Sequence, residues 1–314
     1  MIRVTHFSDP GCPFAYSASP ALAALRWRYG AQLEWRHVMI GLTEDAAQYA
    51  ERGYTPLRMA QGQRRFRRFG MPLGRGPKKR LAATARACRT VVAVRLTQPQ
   101  LEWPAFRALQ LTQFTTDLPL DADEALLDAL GRLPGVDPPA ILARIDAPDV
   151  VEAYEADRAQ ARTAAGSPTE FQGKAANTDG AVRYTAPSLI FEHEDGRRLE
   201  AGGFQGLDAY DVCIANLDRS LDRRGAPDDL GELLAAFPDG LTAAEVAGCL
   251  APFPEFADLD AAEDALLELV DAGRAVVRPV GDGTLWIDAG SPFAADLADR
   301  RARLGDPLRP MRTG

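Results

Sequence analysis

One cysteine of this chain stands where its thiol would be activated. Cys12 follows Asp9-Pro10-Gly11 and precedes Pro13, at the start of a segment whose apolar residues recur at spacings of three and four. Pro13 suits the first position of a helix, which makes Cys12 the N-cap residue. The unpaired N–H groups and the positive end of the helix dipole favour a thiolate, the nucleophilic form of cysteine. We therefore predict that Cys12 is a nucleophile with a lowered pKa.

The elements that must position Cys12 follow from the surrounding pattern. Residues 2–8 are rich in β-branched and aromatic residues and predict a strand. Residues 14–29 place apolar side chains on one helical face and end at Gly30, and residues 32–40 alternate as a second strand. Since a helix connects the two strands, they must be parallel. Cys12 then lies at the carboxyl end of the first strand, the edge where ligands bind in such sheets.

A long helical insertion, about 43–166, separates these elements from the rest of the predicted sheet. Its clearest helices span 81–97, 103–115, 121–133, 138–145 and 148–164. A polar loop over 166–180 leads to a hairpin of two strands, 184–192 and 198–201, and a helix then runs from 207 to about 221. The order β-α-β, insertion, β-β-α predicts an α/β thioredoxin-like fold with a large helical insertion.

Two short motifs carry a family resemblance. The stretch Ser8-Asp9-Pro10-Gly11-Cys12-Pro13-Phe14-Ala15-Tyr16 resembles the active-site segment of the DsbA-like family, which includes FrnE-type oxidoreductases, kappa-class glutathione transferases and 2-hydroxychromene-2-carboxylate isomerases. Thr185-Ala186-Pro187-Ser188 resembles the cis-proline loop of that family, which faces the active cysteine. The resemblance covers roughly 1–224. It implies catalytic roles for Cys12, Pro13 and Pro187, and we expect substrate contacts from Gly11, Phe14, Tyr16, Ala186 and Ser188.

One departure from the family pattern limits the chemistry. The family has a second cysteine three residues after the first, and this chain has Ala15 there, so Cys12 cannot close a disulfide within the motif. What remains is monothiol chemistry, in which an external thiol or another cysteine releases the product by exchange. Cys88 is the candidate second thiol, although a lone helix cysteine is more often a small buried hydrophobe. The four cysteines form no CxxC pair, so we expect no metal site.

Three functions stay open at this point. The first is a monothiol thiol-disulfide oxidoreductase that acts on mixed disulfides of a small thiol or a protein. The second is a thiol-dependent transferase or isomerase of the kappa-class or chromene isomerase type. The third is a non-catalytic thioredoxin-fold interaction module. We expect no tightly bound cofactor, although a low-molecular-weight thiol would serve the first two functions as a co-substrate.

The C-terminal part has a different pattern. After a linker at 225–227, three helices are predicted at 229–237, 242–250 and 260–272, followed by a hairpin of 274–280 and 284–288. This order predicts a small winged-helix-like α+β domain over 228–290, followed by a tail over 291–314.

Charge divides the chain into two contrasting parts. Within an overall net charge of −8, residues 51–107 hold fourteen basic and two acidic side chains, and residues 228–288 hold the reverse. The third C-terminal helix carries Glu263, Asp264 and Glu268, which argues against DNA binding, since phosphate neutralisation requires cations. We predict instead that the acidic region packs against the basic insertion, either within one chain or across a homodimer.

The Arg- and Phe-rich stretch 63–70 has three open interpretations: a solvated face, a docking or anion site for a carboxylate-bearing thiol, and a single-stranded nucleic-acid surface. No run of residues is apolar enough for a signal peptide or a membrane span. We therefore expect a cytoplasmic protein without membrane partners, whose cysteines are mostly reduced. His6 and His37 lie in predicted strands and are expected to be core residues, and the alternative for His6 is a base near Cys12.

Overall fold

A computed structural model describes residues 1–178, 180–251 and 258–295. The first half of the sheet contains β1 (Ile2–Ser8), α1 (Pro13–Ser17), α2 (Ser19–Tyr29) and β2 (Leu33–Met39). The two strands are parallel, as predicted, and Ile2 is paired with Leu33. The single helix predicted over 14–29 is instead broken at Ala18. Pro20 explains the break, because a proline has no N–H to donate to the preceding turn.

The insertion is helical, as predicted. It contains α3 (Ala47–Glu51), α4 (Pro56–Gln63), α5 (Ala85–Thr97), α6 (Glu102–Thr115), α7 (Asp123–Leu130), α8 (Pro138–Arg144), α9 (Pro148–Ala161) and α10 (Pro168–Phe171). A 3-10 helix, Arg64–Phe69, follows α4. The five clearest predicted helices correspond to α5 through α9, whereas α10 lies in the segment predicted as loop. α5 and α6 are buried along most of their length and form the centre of the largest hydrophobic core.

The chain then returns to the sheet. Here lie β3 (Ala175–Ala176), β4 (Arg183–Tyr184), β5 (Ser188–His193), β6 (Arg198–Ala201) and α11 (Leu207–Leu217). The main sheet has the order β2-β1-β5-β6, with β5 antiparallel to both neighbours, while β3 and β4 form a separate two-stranded pair. The strand predicted over 184–192 is interrupted between Tyr184 and Ser188, where Pro187 cannot donate to a ladder. The predicted thioredoxin-like arrangement is confirmed.

Residues 225–295 are called the C-terminal segment below. It comprises α12 (Leu230–Ala236), β7 (Leu241–Thr242), α13 (Ala243–Leu250), α14 (Leu259–Asp271), β8 (Ala275–Val280) and β9 (Gly283–Asp288). The three helices and the hairpin are present, and Thr242 and Glu245 form a capping box at the start of α13. The winged-helix assignment and the domain boundaries stay predictions. Most of the predicted tail, from residue 296 onward, lies outside the described residues.

The C-terminal segment packs on the thioredoxin part of the same chain. Trp27 of α2 shares a hydrophobic core with Leu233 and Leu266. Arg107 of α6 is buried between Asp239, at 2.8 Å, and Glu245. The basic insertion and the acidic segment therefore meet within one chain, while the predicted homodimer stays a prediction. Throughout the described part of the chain, each helix falls short of the length or apolar character that a membrane crossing requires.

Candidate active site

Cys12 occupies the predicted position at the junction of β1 and α1. Its backbone is extended and Pro13 takes the first helical turn, so Cys12 is the N-cap residue. Its thiol donates a hydrogen bond to the carbonyl oxygen of Ala186, with Sγ and O 3.2 Å apart. The Ala186–Pro187 peptide bond is cis, as the family resemblance implied. The tertiary fold thus brings together two segments that lie 174 positions apart.

The expectation of a lowered pKa for Cys12 is wrong in this conformation. Cys12 is only 7% exposed, and burial raises the pKa of its thiol to about 12. Asp9 adds to this rise, while nearby N–H groups of Ala15 and Phe14 oppose it. Because Pro20 shortens α1 to five residues, the favourable helix terminus is weak, and desolvation of the thiolate outweighs it.

Asp9 is the residue that sequence reasoning missed, although it stands within the quoted motif. It is fully buried, and its Oδ1 accepts a hydrogen bond from the Gly11 N–H at 2.7 Å. Its Oδ2 accepts from the Leu42 N–H and from the Thr84 hydroxyl, both at 2.8 Å. Asp9 therefore joins the loop that carries Cys12 to the segment after β2 and to Thr84, the N-cap residue of α5.

Gly11 has a structural role that differs from the predicted substrate contact. Its N–H is already taken by Asp9, so it does not point at the Cys12 thiol. A Cβ atom at Gly11 would lie 2.5 Å from Cγ2 of Thr84. Glycine is needed here because the Cys12 loop approaches α5 too closely for a side chain.

Cys88 lies on α5 near the same carboxylate. Its thiol is fully buried and donates to Oδ2 of Asp9 at 3.5 Å. Burial and the Asp9 charge raise the pKa of Cys88 well above its ordinary value. Both Cys12 and Cys88 are free thiols. The role of Cys88 as a second thiol stays a prediction, and its site favours the neutral thiol.

Tyr16 and Ser188 have different surroundings from those predicted. The hydroxyl of Tyr16 donates to the Pro72 carbonyl at 2.8 Å, and its ring stacks on Phe114 in the core of the insertion. Ser188 donates to the Thr185 carbonyl at 2.7 Å and is fully buried. Tyr16 thus anchors α1, and Ser188 shapes the cis-proline loop. Their hydroxyls are occupied by the protein itself, because helix and loop geometry turned them inward.

Phe14 is the exposed member of the site. It is 39% exposed, and its ring contacts those of Phe66 and Phe204 at centroid distances of 5.0 and 6.0 Å. Phe204 comes from the loop after β6, and Phe66 from the Arg- and Phe-rich stretch. The guanidinium of Arg65 lies 5.0 Å from the centre of the Phe66 ring. An apolar, cation-flanked surface therefore adjoins the Cys12 helix.

Other candidate groups lie away from Cys12. His6 belongs to an aromatic group with His37 and Trp103 and is buried, as expected for a core residue. Within residues 1–178, 180–251 and 258–295, His, Cys, Asp and Glu form no group of three or more that could hold a metal ion.

Comparisons with known proteins agree with this geometry. The family model described as the DSBA-like thioredoxin domain matches residues 3–186. A candidate protein disulfide isomerase from Nitrosomonas europaea is 16% identical, with a TM-score of 0.51 over 68% of this chain and 96% of its own. A probable DsbA oxidoreductase from Streptomyces coelicolor is 14% identical, with a TM-score of 0.50 over 69% and 90% of the two chains. These structures share the fold. No curated protein sequence matches this chain.

Proposed function

Because this chain belongs to the family of DSBA-like thioredoxin domains, we propose that it is a thiol-disulfide oxidoreductase that works through the single thiol of Cys12. The observation that carries the proposal is the hydrogen bond from Cys12 to Ala186, which places the thiol against the cis-proline loop. Ala15 is 2% exposed and lies in the same buried cluster as Cys12, so no second thiol is available within the motif.

The proposed reaction has two exchange steps. Cys12 loses its proton to solvent, and its thiolate attacks one sulfur of a substrate disulfide. A bond forms between Cys12 and that sulfur as the substrate S–S bond breaks, and the other sulfur leaves as a thiolate that takes up a proton. The thiolate of an external thiol then attacks the mixed disulfide and releases Cys12. The net reaction replaces one thiol of the disulfide by another.

The substrate must displace the Cys12 thiol from its resting contact. At neutral pH the buried thiol is protonated, because burial raises its pKa to about 12. An N–H group of a peptide disulfide bound along the cis-proline loop would compete for the Ala186 carbonyl and open the site to solvent. We assign the activation of Cys12 to this displacement rather than to the resting structure.

The flanking surface indicates the kind of substrate. Phe14 and Phe204 offer apolar contact, and the guanidiniums of Arg65 and Arg68 lie beside the rings of Phe66 and Phe69. Neither arginine has a carboxylate partner among the described residues. A small thiol that bears carboxylates would satisfy both features, and a cytoplasmic location would supply it in reduced form. Arg65 and Arg68 would then hold the carboxylates.

Trapping of the mixed disulfide tests the proposal. The protein is incubated with glutathione disulfide, and the modified peptide is identified by mass spectrometry. We expect one glutathionyl group on Cys12, removed by added thiol and absent from Cys12→Ser. Cys213→Ser is the matched control, because Cys213 is a free, half-buried cysteine outside the site. Modification of Cys213 alone would contradict the proposal.

Ala15→Cys examines the monothiol mechanism directly. This substitution supplies the missing second cysteine within the first turn of α1, three positions after Cys12. We expect Cys12 and the new thiol to form a disulfide on mild oxidation, and the mixed disulfide with glutathione to stop accumulating. A variant that still accumulates the mixed disulfide would show that the two sulfurs do not meet, and that external thiols alone resolve the adduct.

A non-catalytic interaction module is the second candidate. The low exposure of Cys12 and its raised pKa favour this reading, since both keep the thiol unreactive. The trapping experiment separates the two, because the module would yield no adduct at Cys12 at neutral pH in the folded protein.

A further inference from the structure

A second recess lies away from Cys12, where the thioredoxin part meets the C-terminal segment. It has a volume of about 410 Å³ and is lined by residues of α2, β2, α6 and the chain after α12. Three of the four tryptophans of the chain, Trp27, Trp35 and Trp103, form its walls. It adjoins the last turns of α2, whereas Cys12 precedes α1. Its size falls within the range of small-molecule sites.

Arg26 lies between two aromatic rings in this recess. Its guanidinium carbon lies 4.0 Å from the centre of the Trp35 ring and 4.1 Å from that of Trp103, so the group is sandwiched between two indoles. One terminal nitrogen lies 3.2 Å from Nε2 of His37. The Nε of Arg26 is buried and has no hydrogen-bond partner among the described residues. Stacking on aromatic faces orients a cation without neutralising it.

The two carboxylates that act electrostatically on Arg26, Asp239 and Glu102, are already paired with other arginines. Glu102 contacts Arg95 at 2.9 Å, and Asp239 contacts Arg107 at 2.8 Å. No described carboxylate forms an ion pair with Arg26 itself. Because other arginines hold these two carboxylates, the half-buried guanidinium of Arg26 keeps the capacity to bind an anion that enters the recess.

The recess holds a second cation, and the acidic side chain in its lining, Asp239, is paired with Arg107. The guanidinium of Arg224 lies 5.0 Å from the centre of the Trp27 ring, on the same recess. His6 and His37 are neutral at pH 7, because burial lowers the pKa of His6 to about 3 and that of His37 well below its ordinary value. Arg26 and Arg224 are therefore the two cations of the recess that form no ion pair with a carboxylate of the described residues.

We infer that this recess binds a small aromatic carboxylate, with its ring among Trp27, Trp35 and Trp103 and its carboxylate on Arg26 and Arg224. Aromatic walls suit a flat apolar ring, and the two guanidiniums suit a carboxylate. The site is independent of the thiol chemistry proposed for Cys12. It lies where the C-terminal segment closes over the edge strand β2, so a ligand there contacts both parts of the molecule.

Calorimetric titration of the full chain with 2-naphthoate tests the inference. We expect saturable binding, at least tenfold tighter than that of the neutral isostere 2-naphthalenemethanol. Arg26→Gln should weaken 2-naphthoate binding at least tenfold and leave the neutral compound nearly unaffected. Arg36→Gln is the matched control, because Arg36 lies exposed on β2 next to Trp35 and does not line the recess.

A further variant guards against a folding defect in Arg26→Gln. Arg224 is exposed, so Arg224→Gln should fold normally and weaken binding several-fold. The inference is overturned if 2-naphthoate shows no binding at about 1 mM, if the neutral compound binds equally well, or if Arg36→Gln weakens binding as much as Arg26→Gln. Cys12→Ser should bind 2-naphthoate like the wild type, so loss of the thiol activity leaves this test intact.

Discussion

Asp9 beside Cys12 and Glu245 in α13 are both fully buried carboxylates, but their partners differ. Glu245 faces the guanidinium of Arg107, which also contacts Asp239. Within the described part of the chain, Asp9 has only neutral partners: two backbone N–H groups, the Thr84 hydroxyl and the Cys88 thiol. One region compensates its buried charge with a cation, and the other does so with hydrogen bonds alone.

This difference bears on the chemistry of the two regions. Burial raises the pKa of Asp9 despite its hydrogen bonds, and the Asp9 charge in turn raises the pKa of Cys12. A cation paired with Asp9 would have the opposite effect on the thiol. Around Arg107, by contrast, the ion pairs join α6 to the C-terminal segment and serve the packing of the two parts. Burial is thus the main reason that the Cys12 thiol has a raised pKa, and the Asp9 charge adds to it, whereas Arg107 stabilises the packing of the two parts of the chain.

Removal of the Arg107 guanidinium should have the largest effect on stability. Arg107→Met leaves Asp239 and Glu245 buried without a counter-charge, and we expect it to lower the free energy of unfolding by about 3–5 kcal/mol. Denaturant unfolding measures the change. The control is Arg89→Met, which breaks a pair with the exposed Asp146 and should cost less than about 1 kcal/mol. An equal decrease in the free energy of unfolding of the two variants would show that the buried Arg107 ion pairs stabilise the protein no more than an exposed pair does.

The pH dependence of Asp9→Asn should give a smaller effect of defined sign. The folded pKa of Asp9 lies above its unfolded value near 3.8. Protonated Asp9 therefore stabilises the folded protein, and this contribution is complete below the unfolded pKa. The contribution is lost as pH rises through the folded pKa of Asp9. Near pH 4 we expect Asp9→Asn to be about 1–3 kcal/mol less stable than the wild type, through lost hydrogen bonds.

The stability difference between Asp9→Asn and the wild type should become smaller as pH rises toward neutrality. Only the wild type then carries a buried charge at position 9, and that charge lowers its stability. Denaturant unfolding between about pH 4 and 7 measures the trend for both proteins. A deficit that grows with pH would mean that the surroundings of Asp9 stabilise its ionised form, and the contrast with Glu245 would disappear.

Alkylation of Cys12 tests the same contrast at the thiol. With the pKa raised to about 12, the rate with iodoacetamide should rise about tenfold per pH unit between about pH 7 and 10, without a plateau. Peptide mass spectrometry follows the site, with Cys12→Ser as the blank. A plateau below about pH 8.5 would reveal an activated thiolate in the resting protein.

The sequence predicted those parts of the fold that depend on residues close together in the chain. The parallel strands, the hairpin of β5 and β6, the five main helices of the insertion and the capping box at Thr242 were all predicted from local patterns. The break at Ala18 was missed, although Pro20 was a visible signal for it. Of the site, Cys12 and the cis Ala186–Pro187 bond were predicted through motifs, whereas Asp9 was quoted without a role.

What the sequence determined by itself is the position of Cys12 at a helix start and the absence of a second thiol in its motif, since both depend on adjacent residues. Only the tertiary structure decided the protonation of Cys12, the inward direction of Tyr16 and the placement of Arg26 between two indole rings. The physical reason is desolvation. A pKa or an unmet charge depends on which groups exclude water, and here those groups lie on segments far apart in the chain, such as Ala186 for Cys12 and Trp103 for Arg26.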